Sequence, residues 1–222
     1  MIQAVIFDLD GTLIDSERIY REYWTKACSD AGYVLTNEQF LQLRSLNHVE
    51  ADQLMKSWFG PGFDYYAVQK ACAAMGRKHL LECGFIKKAG AETVLEGLKE
   101  RKITAAIATA TDHDTAVLCL KQAGIDPKSF NNIISAAGIE HGKPAPDVYL
   151  FAANALGLEP ENCMAAEDSP NGIKSARSAG MFVVYVPDLS MPEKEDAPFY
   201  DASVGSLAEL LPLIDRLDQS YD

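Results

Sequence analysis

Basic side chains are scarce in this sequence. It has 20 lysines and arginines against 32 aspartates and glutamates, which gives a formal net charge of −12. A nucleic-acid partner normally requires a basic face, and anionic membranes attract polybasic segments. We therefore expect neither a nucleic acid nor a membrane as partner. An acidic protein can still bind a phosphorylated metabolite where a metal ion and one or two lysines reverse the local field.

Paired cysteines and long apolar runs are also missing. The five cysteines are scattered and form no CxxC pair, which indicates reduced thiols in a cytoplasmic protein. No apolar run approaches the length of a bilayer span, and the first residues lack the basic segment of a signal or transit peptide. The 222 residues, 48% hydrophobic and 23% charged, fit one globular domain or one domain with an insert.

The chain after residue 90 alternates helical patterns with short buried strands. This order is typical of a parallel sheet covered by helices, so we predict an α/β fold. The predicted helices cover 91–101, 115–123, 147–156, 172–179 and 206–217, and the predicted strands cover 4–7, 103–108, 133–134, 163–166 and 182–186.

Residues 16–87 break this alternation, because they contain helical patterns without a convincing buried strand. We predict a helical cap domain over 16–87, inserted into a core domain formed by 1–15 and 88–222. Trp24 and Trp58 are interpreted as part of the packing surface of this helical bundle. The predicted helices of the cap cover 16–31, 37–43, 49–58 and 66–82.

Two carboxylates leave the first strand together. Asp8-Leu9-Asp10-Gly11-Thr12 directly follows the apolar run Ala4-Val5-Ile6-Phe7. Ligands of an open α/β sheet bind outside the carboxyl ends of its strands, and alternation along the chain points Asp8 and Asp10 to one side. For a single aspartate here, a solvated turn would be the favoured explanation. The whole motif directly after a buried strand favours a functional site.

Three later segments place polar groups in similar positions. Thr109 follows the apolar run 105–108, Lys143 lies in a proline-rich approach to a helix, and Glu167-Asp168 follows the apolar run 163–166. Each has an ordinary explanation alone, such as a solvated lysine or acids that suit the start of a helix. Their joint occurrence in this order predicts that they meet at one edge of the sheet.

Four carboxylates at one edge repel one another unless a cation neutralises them. Their hard oxygen ligands suit Mg²⁺, and zinc is disfavoured because the sequence has no Cys/His cluster. A threonine and a lysine beside them can hold a phosphoryl group. One aspartate can then attack phosphorus, while an acid two residues away protonates the leaving oxygen and afterwards activates water.

With these motifs in view, the chain resembles the haloacid dehalogenase superfamily, specifically its capped phosphatases and β-phosphoglucomutase-like members. The most specific stretches are DLDGTLIDSE at 8–17 and EDSPNGIKSARSAG at 167–180, supported by GKPAPDVY at 142–149. The resemblance covers essentially the whole chain. It implies a Rossmann-like parallel-sheet core under a mobile helical cap, whose closure excludes water.

The resemblance also implies roles for individual residues. Asp8 resembles the nucleophile, and Asp10 the general acid and base that also offers Mg²⁺ a backbone oxygen. Lys143 resembles the lysine that neutralises the nucleophile and the phosphate, and Glu167 and Asp168 complete the implied metal site. Thr109 resembles the phosphate-binding hydroxyl. Ala110 follows it as a further substrate-binding candidate.

The resemblance leaves the acceptor of the phosphoryl group open. Haloacid dehalogenases need no metal and lack an acid at the position of Asp10, so phosphoryl transfer is favoured. We expect a Mg²⁺-dependent phosphatase for a small phosphorylated metabolite, with sugar phosphates the favoured class. A β-phosphoglucomutase-type phosphomutase is the alternative. A non-catalytic member that binds a metabolite or protein is an alternative of another class, disfavoured because every expected catalytic position is filled.

The cap distinguishes phosphatase from mutase. Tyr20 occupies the position where the mutases usually have a substrate-contacting histidine, and 46–48 lacks the mutase arginine, although Arg44 is close by. Tyr20, Arg44 and His48 are therefore the cap candidates for substrate binding, beside Thr109, Ala110 and Lys143 of the core. Asn47 and Lys78 are further cap candidates. We expect a monomer or a weak homodimer.

Overall fold

The computed structural model describes residues 1–44, 46 and 48–219, and its centre is a six-stranded parallel sheet. The α/β class predicted from the sequence is confirmed. Along the sheet the order is β3-β2-β1-β4-β5-β6, with all five strand pairs parallel. The strands are β1 (Ala4–Phe7), β2 (Thr104–Thr109), β3 (Asn132–Ser135), β4 (Cys163–Glu167), β5 (Phe182–Tyr185) and β6 (Ala202–Ser203).

In the described part of the chain, four α-helices follow β1 and five connect or follow the later strands. The prediction of the final helix over 206–217 is wrong for its first turn. Leu207–Glu209 forms a separate 3₁₀ helix, and the α-helix begins at Leu210. None of the described helices has the length and apolarity needed to cross a membrane. The helices are α1 (Glu17–Asp30), α2 (Asn37–Leu43), α3 (His48–Phe59), α4 (Tyr65–Glu82), α5 (Ala91–Glu100), α6 (His113–Gln122), α7 (Asp147–Leu156), α8 (Pro170–Ser178) and α9 (Leu210–Gln219).

Strand β1 is buried on both faces. Val5 and Phe7 join a hydrophobic cluster formed with α5, α6 and α9, whereas Ala4 and Ile6 join a second cluster formed with α7 and α8. The alternation of side chains along a strand produces this division. A strand held from both sides fixes the position of the residues that follow it.

Helices α1 to α4 have a hydrophobic cluster of their own, which includes Phe40, Met55, Phe63 and Val68. The two connections to the sheet run side by side. Asp15 donates its N–H to Ile86 O at 2.8 Å, and Lys88 donates to Leu13 O at 2.9 Å. The sequence predicts the cap domain over 16–87, between these two connections. The boundaries themselves stay a prediction.

Candidate active site

The register of the sheet brings the predicted strand-end groups to one edge. Phe7, the last residue of β1, pairs with Ala166 of β4. Asp8 continues this line by donating its N–H to Ala166 O at 2.9 Å. Thr109 and Glu167 are the last residues of the neighbouring strands β2 and β4. Strand order reverses at β1, so this edge is where an open α/β sheet binds ligands.

Lys143 is the buried cation of this edge. Its Nζ lies 2.5 Å from Asp8 Oδ1 and 2.5 Å from Glu167 Oε1, and it also donates to Ala108 O at 3.1 Å. Burial alone lowers the pKa of a lysine, but the Asp8 and Glu167 carboxylates outweigh burial and raise the pKa of Lys143. The ammonium group therefore stays charged and links the ends of β1 and β4.

The carboxyl group of Asp8 is nearly shielded from water, with 5% of the residue exposed. Burial raises the pKa of Asp8 well above its usual value, Lys143 opposes this rise, and Glu167 and Asp168 add to it. A further cation in the site would favour the ionised carboxylate, which is the nucleophilic form.

Glu167 is held by donors at both oxygens. Oε1 accepts from Lys143 and from the Tyr149 hydroxyl at 2.9 Å, and Oε2 accepts from Asp168 N at 3.1 Å. The N–H and the hydroxyl of Ser169 also donate to Oε2. A Cβ at Gly172 would collide with this carboxylate, so only glycine leaves it room at the start of α8. Glu167 therefore fixes Lys143 as well as lining the acidic site.

Asp168 lies against the loop that follows β1. Its Oδ1 accepts from the Thr12 hydroxyl at 3.1 Å, and its Oδ2 accepts from Arg44 Nη1 at 2.9 Å. A Cβ at Gly11 would overlap Oδ2, so this oxygen lies directly against the Gly11 backbone. Burial raises the pKa of Asp168 and Arg44 opposes that rise. The carboxylate is thus desolvated and balanced by a cation from the helical cap.

Asp10 points to hydroxyl groups rather than to the other acids. Ser16, the residue before α1, donates to its Oδ1 at 2.6 Å, and Thr111 donates to its Oδ2 at 2.7 Å. Both donors are neutral, so they orient the carboxylate without adding a charge. The two aspartates of the motif therefore have different surroundings, as separate chemical roles require.

Thr109 and Ala110 begin the loop that borders the site on the β2 side. Thr109 is 1% exposed, and its hydroxyl accepts from Thr111 N at 3.1 Å. Ser135 at the end of β3 donates to Thr111 O at 2.7 Å, which ties the loop to the next strand. The exposed Ala110 lines the cleft beside them.

A cavity of about 190 Å³ lies between this edge and the helical cap. On the core side it is lined by Asp8, Asp10 and the 109–111 loop, and on the cap side by aromatic, aliphatic and polar residues. Trp24 and Tyr65 stack there, with ring centroids 5.9 Å apart and planes at 24°. Trp24 was interpreted from the sequence as packing only, and it also faces this cavity.

The predicted cap candidates reach the cavity in different ways. Tyr20 lines it while packing against Phe85, with ring centroids 6.0 Å apart. His48 lines it from an exposed position, with Nδ1 2.9 Å from the Tyr65 hydroxyl. Arg44 lines it too, but its guanidinium is engaged by Asp168.

Two further candidates from the sequence do not add to the site. Lys78 is exposed on α4, 4.0 Å from Glu82, and is not among the described residues that line the cavity. Asn47 lies outside the described residues.

Glu17 lines the cavity, and sequence reasoning did not select it. Burial raises its pKa to about 8, Arg44 opposes the rise, and Asp10 adds to it. Its position directly after Ser16 in the DLDGTLIDSE stretch was the available signal. When protonated, the Glu17 carboxyl group can donate a hydrogen bond into the cavity.

The donor set fits a hard divalent cation. Asp8, Glu167 and Asp168 each offer an oxygen, and these atoms lie within 4.8 Å of one another. All three residues are buried, and burial raises the pKa of both Asp8 and Asp168, so a cation among them would relieve a real charge imbalance. Oxygen-only ligands favour Mg²⁺, Ca²⁺ or Mn²⁺ over softer metals.

Comparisons with known proteins give a family match and named relatives. Residues 2–180 match the family model described as haloacid dehalogenase-like hydrolase. A Drosophila melanogaster protein named "Probable pseudouridine-5'-phosphatase" is 31% identical over 219 residues, covering 93% of this chain and 90% of that protein. The "Phosphorylated carbohydrates phosphatase" of Thermotoga maritima is 26% identical over 184 residues, covering 83% of this chain and 84% of that protein.

A solved structure gives the same fold. The crystal structure of β-phosphoglucomutase from Clostridium difficile superimposes with a TM-score of 0.84 at 24% identity, covering 100% of this chain and 99% of that chain. The likeness therefore extends over the sheet and the helices inserted after β1.

Proposed function

Since this chain belongs to the haloacid dehalogenase-like hydrolases and is a phosphoric monoester hydrolase, we propose that it hydrolyses a sugar phosphate with Mg²⁺ and carries the phosphoryl group on Asp8. The observation that carries this proposal is the buried Asp8 carboxylate, 2.5 Å from Lys143 and open to a cavity of about 190 Å³. The carbohydrate-phosphatase relative supports the substrate class.

Asp8, Glu167, Asp168 and the backbone oxygen of Asp10 are the proposed ligands of the cation. When bound, Mg²⁺ would supply positive charge to the phosphoryl oxygens and to the nucleophile. Lys143 adds a second fixed positive charge from the protein itself. The carboxyl ends of β1 and β4 keep these groups in place before the substrate arrives, which lowers the cost of organising them during reaction.

In the first proposed step Asp8 attacks phosphorus. Lys143 donates to Oδ1, so Oδ2 forms the new P–O bond while the bond from phosphorus to the sugar oxygen breaks. Asp10 gives its proton to that leaving oxygen, and the free sugar departs. Thr109 and the 109–111 loop border the phosphoryl group on the β2 side.

In the second proposed step water attacks the phosphorus of the aspartyl-phosphate. Asp10, now a carboxylate, takes a proton from this water as the bond from phosphorus to Asp8 breaks. Inorganic phosphate leaves, Asp8 is again a carboxylate, and Asp10 again holds its proton. The Ser16 and Thr111 hydroxyls, at 2.6 and 2.7 Å, keep Asp10 oriented in both protonation states.

The cap side of the cavity favours water over a second sugar phosphate as acceptor. A mutase must hold a bisphosphate, so it needs cations for the phosphate that is not being transferred. Among the described residues that line the cavity, the basic ones are Arg44 and His48, so this lining offers a single guanidinium whether or not Asp168 holds it. The other cap residues are aromatic, aliphatic or acidic, or the neutral Gln69, and suit the ring and hydroxyl groups of a sugar.

The test is to incubate the protein with Mg²⁺ and a panel of sugar phosphates, nucleotides and p-nitrophenyl phosphate. β-Glucose 1-phosphate with a trace of the 1,6-bisphosphate is included to detect the mutase alternative. We expect inorganic phosphate from at least one sugar phosphate, and none after EDTA treatment. Formation of glucose 6-phosphate without phosphate release would favour the mutase. Turnover that survives complete metal removal would contradict the proposed mechanism.

A further inference from the structure

Arg44 forms a buried ion pair with Asp168 across the boundary between the helical cap and the sheet. Nη1 lies 2.9 Å from Asp168 Oδ2, and the side chains are 1% and 2% exposed. Nη2 donates to Ser190 Oγ at 2.8 Å and approaches Asp168 O at 3.4 Å. Because α2 ends at Leu43, this contact fastens the end of that helix to the core.

Neighbouring contacts reinforce the same attachment. Asn171 Nδ2 donates to Arg44 O at 3.0 Å, and Leu189 of the core packs against the hydrophobic cluster of the cap. Core residues near the start of α8 and in the loop after β5 therefore hold Arg44 against the core. They are Asp168, Asn171, Leu189 and Ser190.

One carboxylate lies between two cation positions. Asp168 offers a carboxylate oxygen to the acidic group that it forms with Asp8 and Glu167, which is where a divalent ion would bind. The same carboxylate accepts from Arg44 through Oδ2. A guanidinium and a divalent cation on one carboxylate repel each other, so full occupancy by both is unfavourable.

Charge balance and hydrogen bonding indicate that a divalent ion can take the place of Arg44 beside Asp168. Lys143 and Arg44 offset most of the charge of Asp8, Glu167 and Asp168 in the absence of a metal. A divalent ion together with Lys143 would offset the charge of these three carboxylates without Arg44. In addition, Arg44 Nε is buried without a hydrogen-bond partner, so the docked guanidinium is incompletely satisfied.

We propose that Arg44 is a built-in competitor of the divalent cation for Asp168, so that loading the metal and docking the cap through Arg44 oppose each other. This inference rests on the metal site of the proposed function. In the absence of the ion, Arg44 holds the end of α2 on the core. Binding of the ion releases Arg44 from Asp168, and the cap opens more readily to admit substrate.

The test is the affinity for Mg²⁺ alone, measured by isothermal titration calorimetry on wild type, Arg44→Gln and Arg44→Lys. Removing a coupled competitor should tighten binding by at least about fivefold in Arg44→Gln, the lower end of typical coupling between sites. Arg44→Lys keeps the charge but loses the forked contact to Asp168 and Ser190, so its affinity should fall between the two. Arg21→Gln removes one exposed cap arginine and should bind Mg²⁺ like wild type.

Linkage requires the reverse effect as well. Mg²⁺ should speed amide hydrogen exchange in α2 and in the 187–190 loop of wild type, and should change exchange in Arg44→Gln much less. These readouts do not depend on turnover. Circular dichroism establishes that each variant is folded. If Arg44→Gln does not fold, Arg44→Lys carries the comparison with wild type.

The outcomes separate this inference from the proposed function. Equal or weaker Mg²⁺ binding by folded Arg44→Gln, with normal binding by wild type, would overturn the competition and leave the phosphatase proposal intact. Weaker binding would mean that Arg44 supports the metal site instead. No Mg²⁺ binding by either protein would overturn both proposals.

Discussion

Lys143 Nζ lies 2.5 Å from Asp8 Oδ1, in an interior where Lys143 is 1% exposed. These residues are 135 positions apart in the chain, and their contact closes the edge between β1 and the segment before α7. A buried lysine that contacts two carboxylates is a structural element as well as a part of the chemistry. Its removal has measurable consequences for both.

Replacing Lys143 with methionine should destabilise the fold by about 3 to 5 kcal/mol, because Asp8 and Glu167 would be left buried without their cation. Urea unfolding followed by tryptophan fluorescence measures this loss. The control is Lys26→Met, which breaks an exposed pair with Asp30 and should cost less than about 1 kcal/mol. Similar small losses in both variants would show that Lys143 does not stabilise the site.

The loss of rate caused by Asp10→Asn should depend on the leaving group of the substrate. A sugar alkoxide needs a proton to leave, so turnover of the sugar phosphate should fall by about 10²- to 10⁴-fold. p-Nitrophenolate leaves without protonation, so formation of the aspartyl-phosphate from p-nitrophenyl phosphate should slow much less. Pre-steady-state bursts of p-nitrophenol measure this step. An equal loss of rate with both substrates would argue against Asp10 as the general acid. The control is Asp30→Asn, which also removes one carboxylate from the protein.

Glu17→Gln should alter how stability depends on pH. Burial holds the pKa of Glu17 at about 8 in the folded state, above its usual value near 4.5. The unfolded chain therefore loses this proton first, and wild type loses stability as the pH rises from about 4.5 to 8. Relative to wild type, the free energy of unfolding of Glu17→Gln should rise by at least about 1 kcal/mol as the pH increases from 4.5 to 8.

Thermal or urea unfolding across this pH range measures the difference. Glu22→Gln, which changes an exposed glutamate on the same helix, is the matched control. A constant difference between Glu17→Gln and wild type would show that Glu17 does not retain its proton in the fold.

Ellman's reagent should label one thiol in the folded protein. Cys83 is exposed, whereas the other four cysteines are buried. Burial raises the pKa of Cys28 and Cys163 to about 11 and of Cys72 and Cys119 to about 12, so their reactive thiolate is rare at neutral pH. Cys83→Ser should remove the fast reaction, and the other four thiols should react only in denaturant. Fast labelling of Cys83→Ser would contradict this burial.

Local signals made some elements predictable to the residue. Helix α2 begins after a capping box formed by Thr36 and Gln39, and α7 ends at Gly157, whose φ is 68°. Both signals lie in neighbouring residues. The helical pattern predicted the bounds of α2, and Gly157 predicted the end of α7, without error. Strand β6 has only two residues and no alternation to detect, and it was missed.

The same distinction applies to the candidate site. Strand ends predicted that Asp8, Thr109 and Glu167 would gather, because parallel strands share an edge, and the order of the motifs added Lys143 from the segment before a helix. The contact of Arg44 with Asp168 spans 124 positions and depends on how the cap meets the core, which no local pattern specifies. Sequence reasoning could nominate Arg44 as a cap residue, but it could not find its partner.

The central claim is that Asp8 carries the phosphoryl group. The direct measurement is mass spectrometry of the protein, acid-quenched during turnover with Mg²⁺ and a substrate that releases phosphate, followed by peptide mapping. We expect one added phosphoryl group of about 80 Da on the peptide that contains Asp8, absent in Asp8→Asn and in EDTA. A phosphoryl group on another residue, or sustained phosphate release by folded Asp8→Asn, would contradict the account.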